Sequence, residues 1–437
     1  HKLQLRAPYL SVQHRSCARS RNAHLVQCYS TLDGLDLLDE LGTFNRGKSK
    51  HRPRNDPALF VNGKYPLIQT GEVKAANLFI RSHTDKYNDF GLKQSKLWPK
   101  NTLVITIAAN IAETALLGYP MCFPDSVVGF VADSDESSEL FMHYVFTYIR
   151  RSIQNSASGS IQDNINIDYL TKLMFKIPEK FYQDKIAAVL FSIDQKIEIN
   201  NRINAKLEAM AKTLYDYWFV QFDFPDENGK PYKSSGGKMV YSKELKREIP
   251  AVWEVKELHQ IANITMGQSP EGSSYNEDGN GTVFFQGSTD FGIRFPNIRQ
   301  YTTQPSRFAK AGDILLSVRA PVGTMNIADI DCCIGRGLAA LKSKDGFDAY
   351  LFYVMDYFKR LFDRRNSEGT TFGSITKNDL FSLQVAYPDK LLLQAYDDVI
   401  AENNKLVLNN QKENQKLEEL KELLLGRMVR VDRKSVV

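Results

Sequence analysis

Residues 181–222 read FYQDKIAAVLFSIDQKIEINNRINAKLEAMAKTLYDYWFVQF, and a regular periodic pattern runs through them. Apolar or asparagine side chains recur along it in alternating steps of four and three residues, which is the heptad pattern of a helix with a coiled-coil face. The stretch is therefore predicted to form one long helix. Its predicted seam consists of Ile186, Leu190, Ile193, Ile197, Asn200, Asn204, Leu207, Ala211, Leu214 and Trp218.

The same rhythm returns near the C-terminus and predicts a second long helix, with Gly426 at the place of a C-cap glycine. A constant offset of 210 positions relates the two runs, and it also pairs Pro178 with Pro388 and Asn200 with Asn410. Such an offset indicates a tandem duplication of one globular-plus-helix unit. The second predicted seam consists of Val399, Asn403, Leu406, Asn410, Glu413, Leu417, Leu420 and Leu424.

Polar residues inside both seams carry structural information. Buried asparagine in a heptad seam lowers stability but specifies register and partner. We favour an antiparallel pair of helices that separates two domains; about 35 residues at ~1.5 Å per residue would give a spacer on the order of 50 Å. The alternative is two surface helices, each packed on its own domain, with solvated asparagines.

Length and composition are those of a two-domain globular protein. The chain has 437 residues, 24% charged and 43% hydrophobic, with a formal charge of +5, which is compatible with a polyanionic partner without requiring one. The most apolar run, Leu103 to Phe123, is broken by Asn110 and Glu113, is too short to span a bilayer, and is interpreted as buried strand and helix. An odd cysteine count without a CxxC motif favours a reducing cytosol over a disulfide framework. The cysteines are Cys17, Cys28, Cys122, Cys332 and Cys333.

The predicted fold class is α+β, with two similar α/β domains separated by two long antiparallel coiled-coil helices in a pseudo-two-fold internal repeat. The leader is basic and contains no acidic residue, so it is either a transit-like segment or, as we favour, non-native sequence. His14, Cys17, His24 and Cys28 in it have spacings that zinc could also use. The predicted segments are 1–31 (leader), 32–180 (first domain), 181–222 (first long helix), 223–252 (linker), 253–390 (second domain), 391–426 (second long helix) and 427–437 (basic tail).

The domains differ most in their loops. In the first, Arg46 to Arg54 reads RGKSKHRPR, which is either a phosphate-contacting loop or a solvated surface hairpin. In the second, Ile264 to Pro270 takes the equivalent place with a different sequence. Similar scaffolds with different loops are expected if each domain recognises a different target.

Catalytic signatures are missing from the sequence. It has no Walker A loop, no GxGxxG after a strand, no HExxH and no Asn-Pro-Pro-aromatic loop of amino-methyltransferases. A nuclease-like pattern, Pro225-Asp226 followed by Glu254-Val255-Lys256, straddles the linker and is short enough to arise by chance. We therefore predict a non-catalytic chain without a catalytic or metal site.

Three features carry a resemblance to a known family: the paired helices, residues 312–323 (GDILLSVRAPVG) and residues 228–237 (NGKPYKSSGG). Together they resemble the specificity subunit of type I restriction-modification systems. The resemblance implies two target-recognition domains, each reading one half of a split site in double-stranded DNA, and helices that dock methyltransferase subunits. It further implies a restriction/translocase subunit, a cytoplasmic location, and S-adenosylmethionine, ATP and Mg chemistry in partner chains rather than in this one.

Several polar residues are candidates for DNA contact, each with a structural alternative. Tyr275 could cap a core edge, Arg319 could pair with Asp313, and Gln69 and Gln286, which occupy equivalent places, could make structural hydrogen bonds. The candidates are Lys48, Lys50, Arg52, Gln69 and Thr70 in the first domain, and Gln268, Ser269, Tyr275, Gln286, Ser288, Thr289, Arg319 and Arg336 in the second.

Partner docking is predicted near the end of the first long helix, at Met210, Tyr215, Trp218 and Phe219. Packing of these side chains against the second domain is the alternative. A different functional class also stays open, namely a coiled-coil adaptor with duplicated domains that does not bind DNA. A fused methyltransferase-reader enzyme is disfavoured by the missing cofactor motifs.

Overall fold

The computed structural model describes residues 36–37, 40–108, 110–158, 170, 174–319, 321–367, 374–428 and 430–431. Two compact units are present: His1–Ile197 with Gln415–Val437, and Glu198–Asn414. The predicted leader, with its possible zinc-binding histidines and cysteines, lies outside the described residues, as does most of the predicted basic tail.

The first unit contains a five-stranded sheet in the order β2-β8-β6-β7-β4. Only the β4–β7 pair is parallel. Smaller pairings join β3 to β5 and β1 to β9. The strands are β1 (Asp36–Leu37), β2 (Gly42–Arg46), β3 (Tyr65–Leu67), β4 (Phe79–Ile80), β5 (Asp85–Tyr87), β6 (Leu103–Thr106), β7 (Thr114–Leu117), β8 (Val127–Ala132) and β9 (Met174–Lys176); the helices are α1 (Thr70–Ala75), α2 (Asp89–Lys93) and α3 (Glu139–Ser158), with a 3₁₀ turn at Pro57–Leu59.

The apolar run from Leu103 to Phe123 forms two strands, so the predicted helix within it is wrong. Asn110 and Ala112 adopt left-handed backbone conformations, and the chain turns back so that β7 pairs with β6. Every residue of both strands is buried. Helix α3 covers this sheet and places Phe141 and Tyr144 in the same apolar cluster as Leu103.

The first long helix, α4, spans Lys180–Tyr215 and continues as a π-helical turn over Asp216–Val220. None of the ten predicted seam residues is exposed, so the heptad prediction is confirmed for this helix. One end of α4 places Leu190 in the core of the first unit. The other end places Ala211 and Tyr215 in the core of the second.

The second unit contains a four-stranded sheet, β13-β21-β18-β19, and a five-stranded sheet, β14-β16-β15-β20-β17. The predicted linker is partly structured, because β10 and β11 form a hairpin within it. The strands are β10 (Met239–Ser242), β11 (Arg247–Pro250), β12 (Glu254–Glu257), β13 (Ala262–Met266), β14 (Tyr275–Asn276), β15 (Thr282–Phe285), β16 (Tyr301–Thr302), β17 (Phe308–Ala309), β18 (Ile314–Ser317), β19 (Met325–Ile327), β20 (Cys332–Ile334), β21 (Leu338–Ser343) and β22 (Gln384–Tyr387), which pairs with β12; the helices are α5 (Leu258–Ile261), α6 (Asp348–Ser367) and α7 (Lys377–Phe381), with 3₁₀ turns at Gly272–Ser274 and Ser288–Asp290.

The second long helix, α8, spans Lys390–Met428. It is followed by a short strand, β23 (Arg430–Val431), which pairs with β9. Gly426 lies inside this helix, so its predicted role as a C-cap is wrong. Half of the predicted seam is also displaced by one residue. Val399, Leu406, Glu413 and Leu420 are exposed, whereas the buried line includes Tyr396, Ile400, Val407 and Asn414.

Within the second unit, α4 and α8 run antiparallel and are joined by asparagine pairs. Asn200 Nδ2 donates to Asn414 Oδ1 at 2.8 Å, and Asn410 Nδ2 donates to Asn204 Oδ1 at 2.8 Å. Within the first unit, Lys421 of α8 pairs with Asp194 of α4 at 2.6 Å. The predicted antiparallel pairing is confirmed. Asn200 and Asn204 are about 1% exposed rather than solvated, and both helices also pack on the globular parts.

Candidate nucleic-acid interface

The basic loop of the first domain is braced by its own arginines. Arg54 Nη2 donates to both carboxylate oxygens of Asp125, at 2.8 and 2.9 Å. Arg52 Nη1 donates to the carbonyl oxygens of Ser49 and His51, at 2.6 and 2.8 Å. Arg52, a predicted DNA contact, therefore has a structural role within the loop, and its NH2 group is 3.9 Å from Asp125.

Lys48 and Lys50 remain exposed on this braced loop. Across the described part of the chain, neither ammonium group has a hydrogen bond or ion pair. At the loop's end, the Ala58 backbone N–H and the His51 side chain hold the pKa of Asp56 below its ordinary value. A fixed loop that presents two free ammonium groups suits contact with phosphates.

Gln69 and Gln286 occupy equivalent places in the two domains. Gln69 is exposed and directly precedes α1, whose first residue is Thr70. Gln286 is exposed at the end of β15 and lies two residues before the turn that begins at Ser288. Gln69 forms a capping box with Glu72 at the start of α1, and its N–H donates to Glu72 Oε2 at 3.0 Å, so it has a structural role. Gln286 stands exposed between β15 and the turn that follows it.

In the second domain, four predicted residues are brought together by backbone contacts. The Arg336 N–H donates to Ser269 Oγ at 3.2 Å, and the Gln268 N–H donates to the Ile334 carbonyl oxygen at 3.0 Å. A Cβ atom at Gly335 would lie 2.9 Å from the Gln286 Cα. Glycine is needed there because it lets the two loops approach.

Tyr275 makes contacts of the structural kind considered as its alternative role, whereas Arg319 does not. The Tyr275 hydroxyl donates to the Pro270 carbonyl at 2.9 Å, and its ring centroid lies 4.8 Å from that of Phe284. Its hydroxyl is therefore engaged within the domain. Arg319 is exposed and has no ion pair with Asp313 in the described residues; burial raises the pKa of Asp313.

Ser288 and Thr289 lie in the turn that follows Gln286, and Thr289 is exposed. Arg307 is a cation near this cluster that the sequence reasoning missed. Its carbonyl accepts from the Ile334 N–H at 2.9 Å, its side chain is exposed, and no carboxylate in the described ranges pairs with it. The only sequence signal was an arginine without a nearby acidic residue, within QPSRF (304–308).

Matching hydrogen bonds show which positions correspond between the domains. Gly47 N–H to Val127 O and Gly267 N–H to Leu338 O are both 2.9 Å. Ile107 N–H to Ser126 O, at 3.0 Å, corresponds to Val318 N–H to Gly337 O, at 2.9 Å. By this register, the positions of Arg319 and Arg336 correspond to Ala108 and Asp125.

Of the four residues predicted to dock a partner, only Met210 is well exposed, at 64%. Tyr215 and Phe219 are 5% and 3% exposed and lie in the core of the second unit, against which Trp218 also packs. These three aromatic side chains therefore pack against the second domain, which was the alternative to docking. They stabilise their own domain and offer a partner little surface.

Two kinds of feature are absent from the described ranges. No group of three or more His, Cys, Asp or Glu side chains is arranged to hold a metal ion there. Among the helices in those ranges, none is long and apolar enough to cross a membrane.

The fold places the chain in the class of duplicated α+β domains with paired long helices. The family model for the type I restriction modification DNA specificity domain matches twice, over residues 38–209 and 250–422. These matches cover most of the chain. The chain therefore belongs to the family of type I restriction-modification specificity subunits.

Individual relatives agree with this assignment. A Methanocaldococcus jannaschii protein, provisionally named the MjaX type I restriction enzyme specificity subunit, is 35% identical over 286 residues. That alignment covers 64% of this chain and 63% of the relative, less than two thirds of its length. The MjaIX specificity subunit of the same organism is 24% identical over 85% of this chain and 84% of its own.

A solved structure supports the fold. The crystal structure of the type I restriction-modification system S subunit from M. genitalium matches with a TM-score of 0.57 at 15% identity. The match covers 91% of this chain and 96% of that one.

Proposed function

We propose that this chain is the DNA-reading subunit of a type I restriction-modification complex and recognises a bipartite site with its two domains. The observation that carries the proposal is one hydrogen-bonded scaffold present twice with different exposed side chains. Sequence is read by side chains that reach base edges, while lysine and arginine contacts to phosphate provide position and affinity. Gln268, Gln286 and Arg336 have suitable chemistry and lie together.

The charge distribution supports DNA as the target. Lys48 and Lys50 in the first domain, and Arg307, Arg319 and Arg336 in the second, are exposed and have no carboxylate partner in the described residues. Unpaired cations at loops are suited to replacing counterions on phosphates.

Methyltransferase subunits are the proposed partners of the long helices. An exposed apolar line on α4 includes Val189, Ile203 and Met210, which are 52%, 42% and 64% exposed. The offset of 210 positions pairs Val189 and Met210 with Val399 and Leu420 of α8, which are also exposed. Repeated apolar lines suit two copies of one helical partner.

The chemistry is proposed to reside in the partners. Adenine methylation with S-adenosylmethionine would belong to the methyltransferase subunits, and ATP- and Mg-dependent translocation and cleavage to the restriction subunit. Met210→Asp with Leu420→Asp should abolish co-purification of the methyltransferase, because both charges fall on the apolar lines. Ala205→Asp, on another exposed face of α4, is the matched control and should retain it.

The decisive experiment is co-purification of the cognate methyltransferase subunit with this chain, followed by methylation mapping of genomic DNA modified by the complex. The expected result is a split motif with methylated adenine in both halves. A stable complex without any methylated motif would favour an adaptor. Salt separates these classes independently, because DNA affinity falls log-linearly with salt whereas an apolar adaptor contact barely responds.

A further inference from the structure

One loop of the second domain links a candidate DNA contact to the long helices. Residues 287–299, called here the recognition loop, follow Gln286 and carry Ser288 and Thr289 at their start. The loop is braced internally. The Asn297 N–H donates to the Asp290 carbonyl at 2.8 Å, and Arg299 Nε donates to the Asp290 carboxylate at 2.9 Å.

The middle of the recognition loop is held by both long helices. Arg294 Nη2 donates to the Glu208 carboxylate of α4 and, at 2.7 Å, to the Tyr353 hydroxyl of α6. The Phe295 carbonyl accepts from Gln411 Nε2 of α8 at 2.9 Å. Two neighbouring loop residues therefore connect to α4 and α8.

Arg294 is an unusual anchor because it is only 2% exposed. Its Nε and Nη1 atoms have no hydrogen-bond partner among the described residues. A buried, partly satisfied guanidinium contributes little net stability compared with an apolar side chain of similar size. Its contribution is directional. The guanidinium lies 4.1 Å from the Phe352 ring centroid, and its Nη2 atom donates to two acceptors, the Glu208 carboxylate and the Tyr353 hydroxyl.

The corresponding position in the first domain carries no charged side chain. The Ile327 N–H donates to the Arg294 carbonyl at 2.8 Å, and the corresponding bond in the first domain runs from the Leu116 N–H to the Leu78 carbonyl, also at 2.8 Å. Leu78 is buried in an apolar cluster. The position of the hydrogen-bonded Arg294 in the second domain is therefore taken in the first by a leucine, which makes only apolar contacts.

We infer that Arg294 is a positioning residue that sets the recognition loop from the helix pair. The affinity of the second domain for its half-site then depends on the arrangement of α4 and α8, and so on whatever binds these helices. The first domain does not share this dependence through Leu78. The inference rests on the proposed DNA-reading function.

The test compares Arg294→Met with Arg360→Met in the complex with the methyltransferase. Arg360 makes a similar link, with two hydrogen bonds of 3.0 and 2.7 Å from α6 to Asp216, but does not touch the recognition loop. The probes are duplexes carrying the motif found by methylation mapping, intact or with either half scrambled. Arg294→Met should lose about tenfold or more of its discrimination at the second half-site and none at the first.

Arg360→Met should retain discrimination at both halves. Unchanged discrimination in Arg294→Met, or an equal loss in Arg360→Met, would overturn the inference. Glu208→Gln provides a second route, because it removes the charge of the acceptor on α4 while leaving the loop sequence intact. Glu208→Gln should reduce discrimination at the same half-site. Arg294→Lys should retain part of the discrimination that Arg294→Met loses.

Amide exchange of the chain without DNA keeps this test separate from the proposed function. Faster exchange of residues 288–299 in Arg294→Met, but not in Arg360→Met, is expected whether or not DNA binds. If the complex of the unsubstituted chain with the methyltransferase binds no DNA, the proposed function fails while the anchor is still measured. If exchange in the loop is unchanged, the anchor itself fails.

Discussion

The two domains share one hydrogen-bonded scaffold and place opposite kinds of side chain on it. Where the second domain has exposed Arg336, the first has Asp125, which holds Arg54. Where the second buries Arg294, the first buries Leu78. The cations of the first domain are thus fixed on a braced loop, whereas those of the second stand at strand ends. The scaffold tolerates such exchange because backbone bonds, not these side chains, maintain it.

The largest effect is expected from moving the buried charge to the other domain. Leu78→Arg would bury a guanidinium in an apolar cluster without a built partner, and should lower the free energy of unfolding by about 4 kcal/mol or more. Leu78→Met should cost less than about 1.5 kcal/mol. Denaturant unfolding followed by circular dichroism measures both. A small loss of stability for Leu78→Arg would mean that the site of Leu78 accommodates a buried guanidinium, as the site of Arg294 does.

A second contrast separates stability from docking on one helix. Phe219→Ala removes a buried ring from the aromatic cluster around Tyr396 and should cost about 3 kcal/mol or more. Met210→Ala should change stability by less than about 0.5 kcal/mol and weaken partner binding instead. Thermal unfolding and co-purification of both variants test this. Equal effects of the two variants on both measurements would contradict the assignment.

The units should respond to acid in opposite directions. Burial lowers the pKa of His143 in the first unit to about 3 and raises that of Asp397 in the second to about 6. His143 is neutral in the folded chain, whereas the unfolded chain takes up a proton on it below a pKa of about 6.5. Stability is therefore lost as the pH falls below that value. At pH 5 the loss is roughly 2 kcal/mol.

Asp397 has the reverse sign, because its raised folded pKa means that stability is lost as pH rises through about 6. Amide exchange in α3 and α6 between pH 5 and pH 7 reports on the two units separately. Protection of α3 should decrease at pH 5, and His143→Gln should abolish that change. The idea fails if α3 protection is independent of pH in the unsubstituted chain.

The asparagine pairs provide a finer comparison, because Asn204 and Asn414 correspond under the 210-residue offset. Asn414 accepts from Asn200 and donates to Asn201, whereas Asn204 accepts from Asn410. Either substitution leaves the amide of its partner buried without a hydrogen bond, so Asn414→Leu should cost roughly 1–2 kcal/mol and Asn204→Leu about 1 kcal/mol. Chemical denaturation of the two variants measures the difference, and equal costs would show that the extra bond contributes nothing.

The smallest effect concerns single cations. Arg307→Ala should reduce the slope of log affinity against log salt by about one, if its guanidinium contacts phosphate. Arg54→Ala should leave the slope unchanged because Asp125 already holds this arginine. Lys310→Ala is a matched control, since its ammonium pairs with Asp331 at 2.7 Å. Titrations at several salt concentrations distinguish the three variants.

Periodicity predicted both long helices and the repeat, because a heptad seam is a local pattern written in one element. It misplaced half of the second seam, where Val399, Leu406 and Leu420 are apolar but exposed. Adding 210 to the first seam gives Ile400, Val407 and Asn414, which are buried. The repeat thus contained the right register, but surface leucines on an amphipathic helix concealed it.

The parts that could not be predicted depend on residues distant in the chain. Arg294 and Glu208 are 86 positions apart, and no pattern in either segment announces their contact. The sequence predicts docking at Tyr215 and Phe219 because they lie at a helix end rich in aromatic residues. Their burial depends on Tyr350 and Tyr396, which only the folded second unit supplies.

The asparagine contacts also have a consequence for ancestry. In a symmetric dimer, residue i of one copy meets residue j of the other, and j meets i in return. Asn200 with Asn414 and Asn204 with Asn410 follow this rule once each half of the repeat is treated as a copy. One polypeptide thus retains the contact of a homodimer while each half accumulates its own substitutions. Two identical subunits would be tied to palindromic targets, whereas under the proposed function the duplicated chain is free to read an asymmetric one.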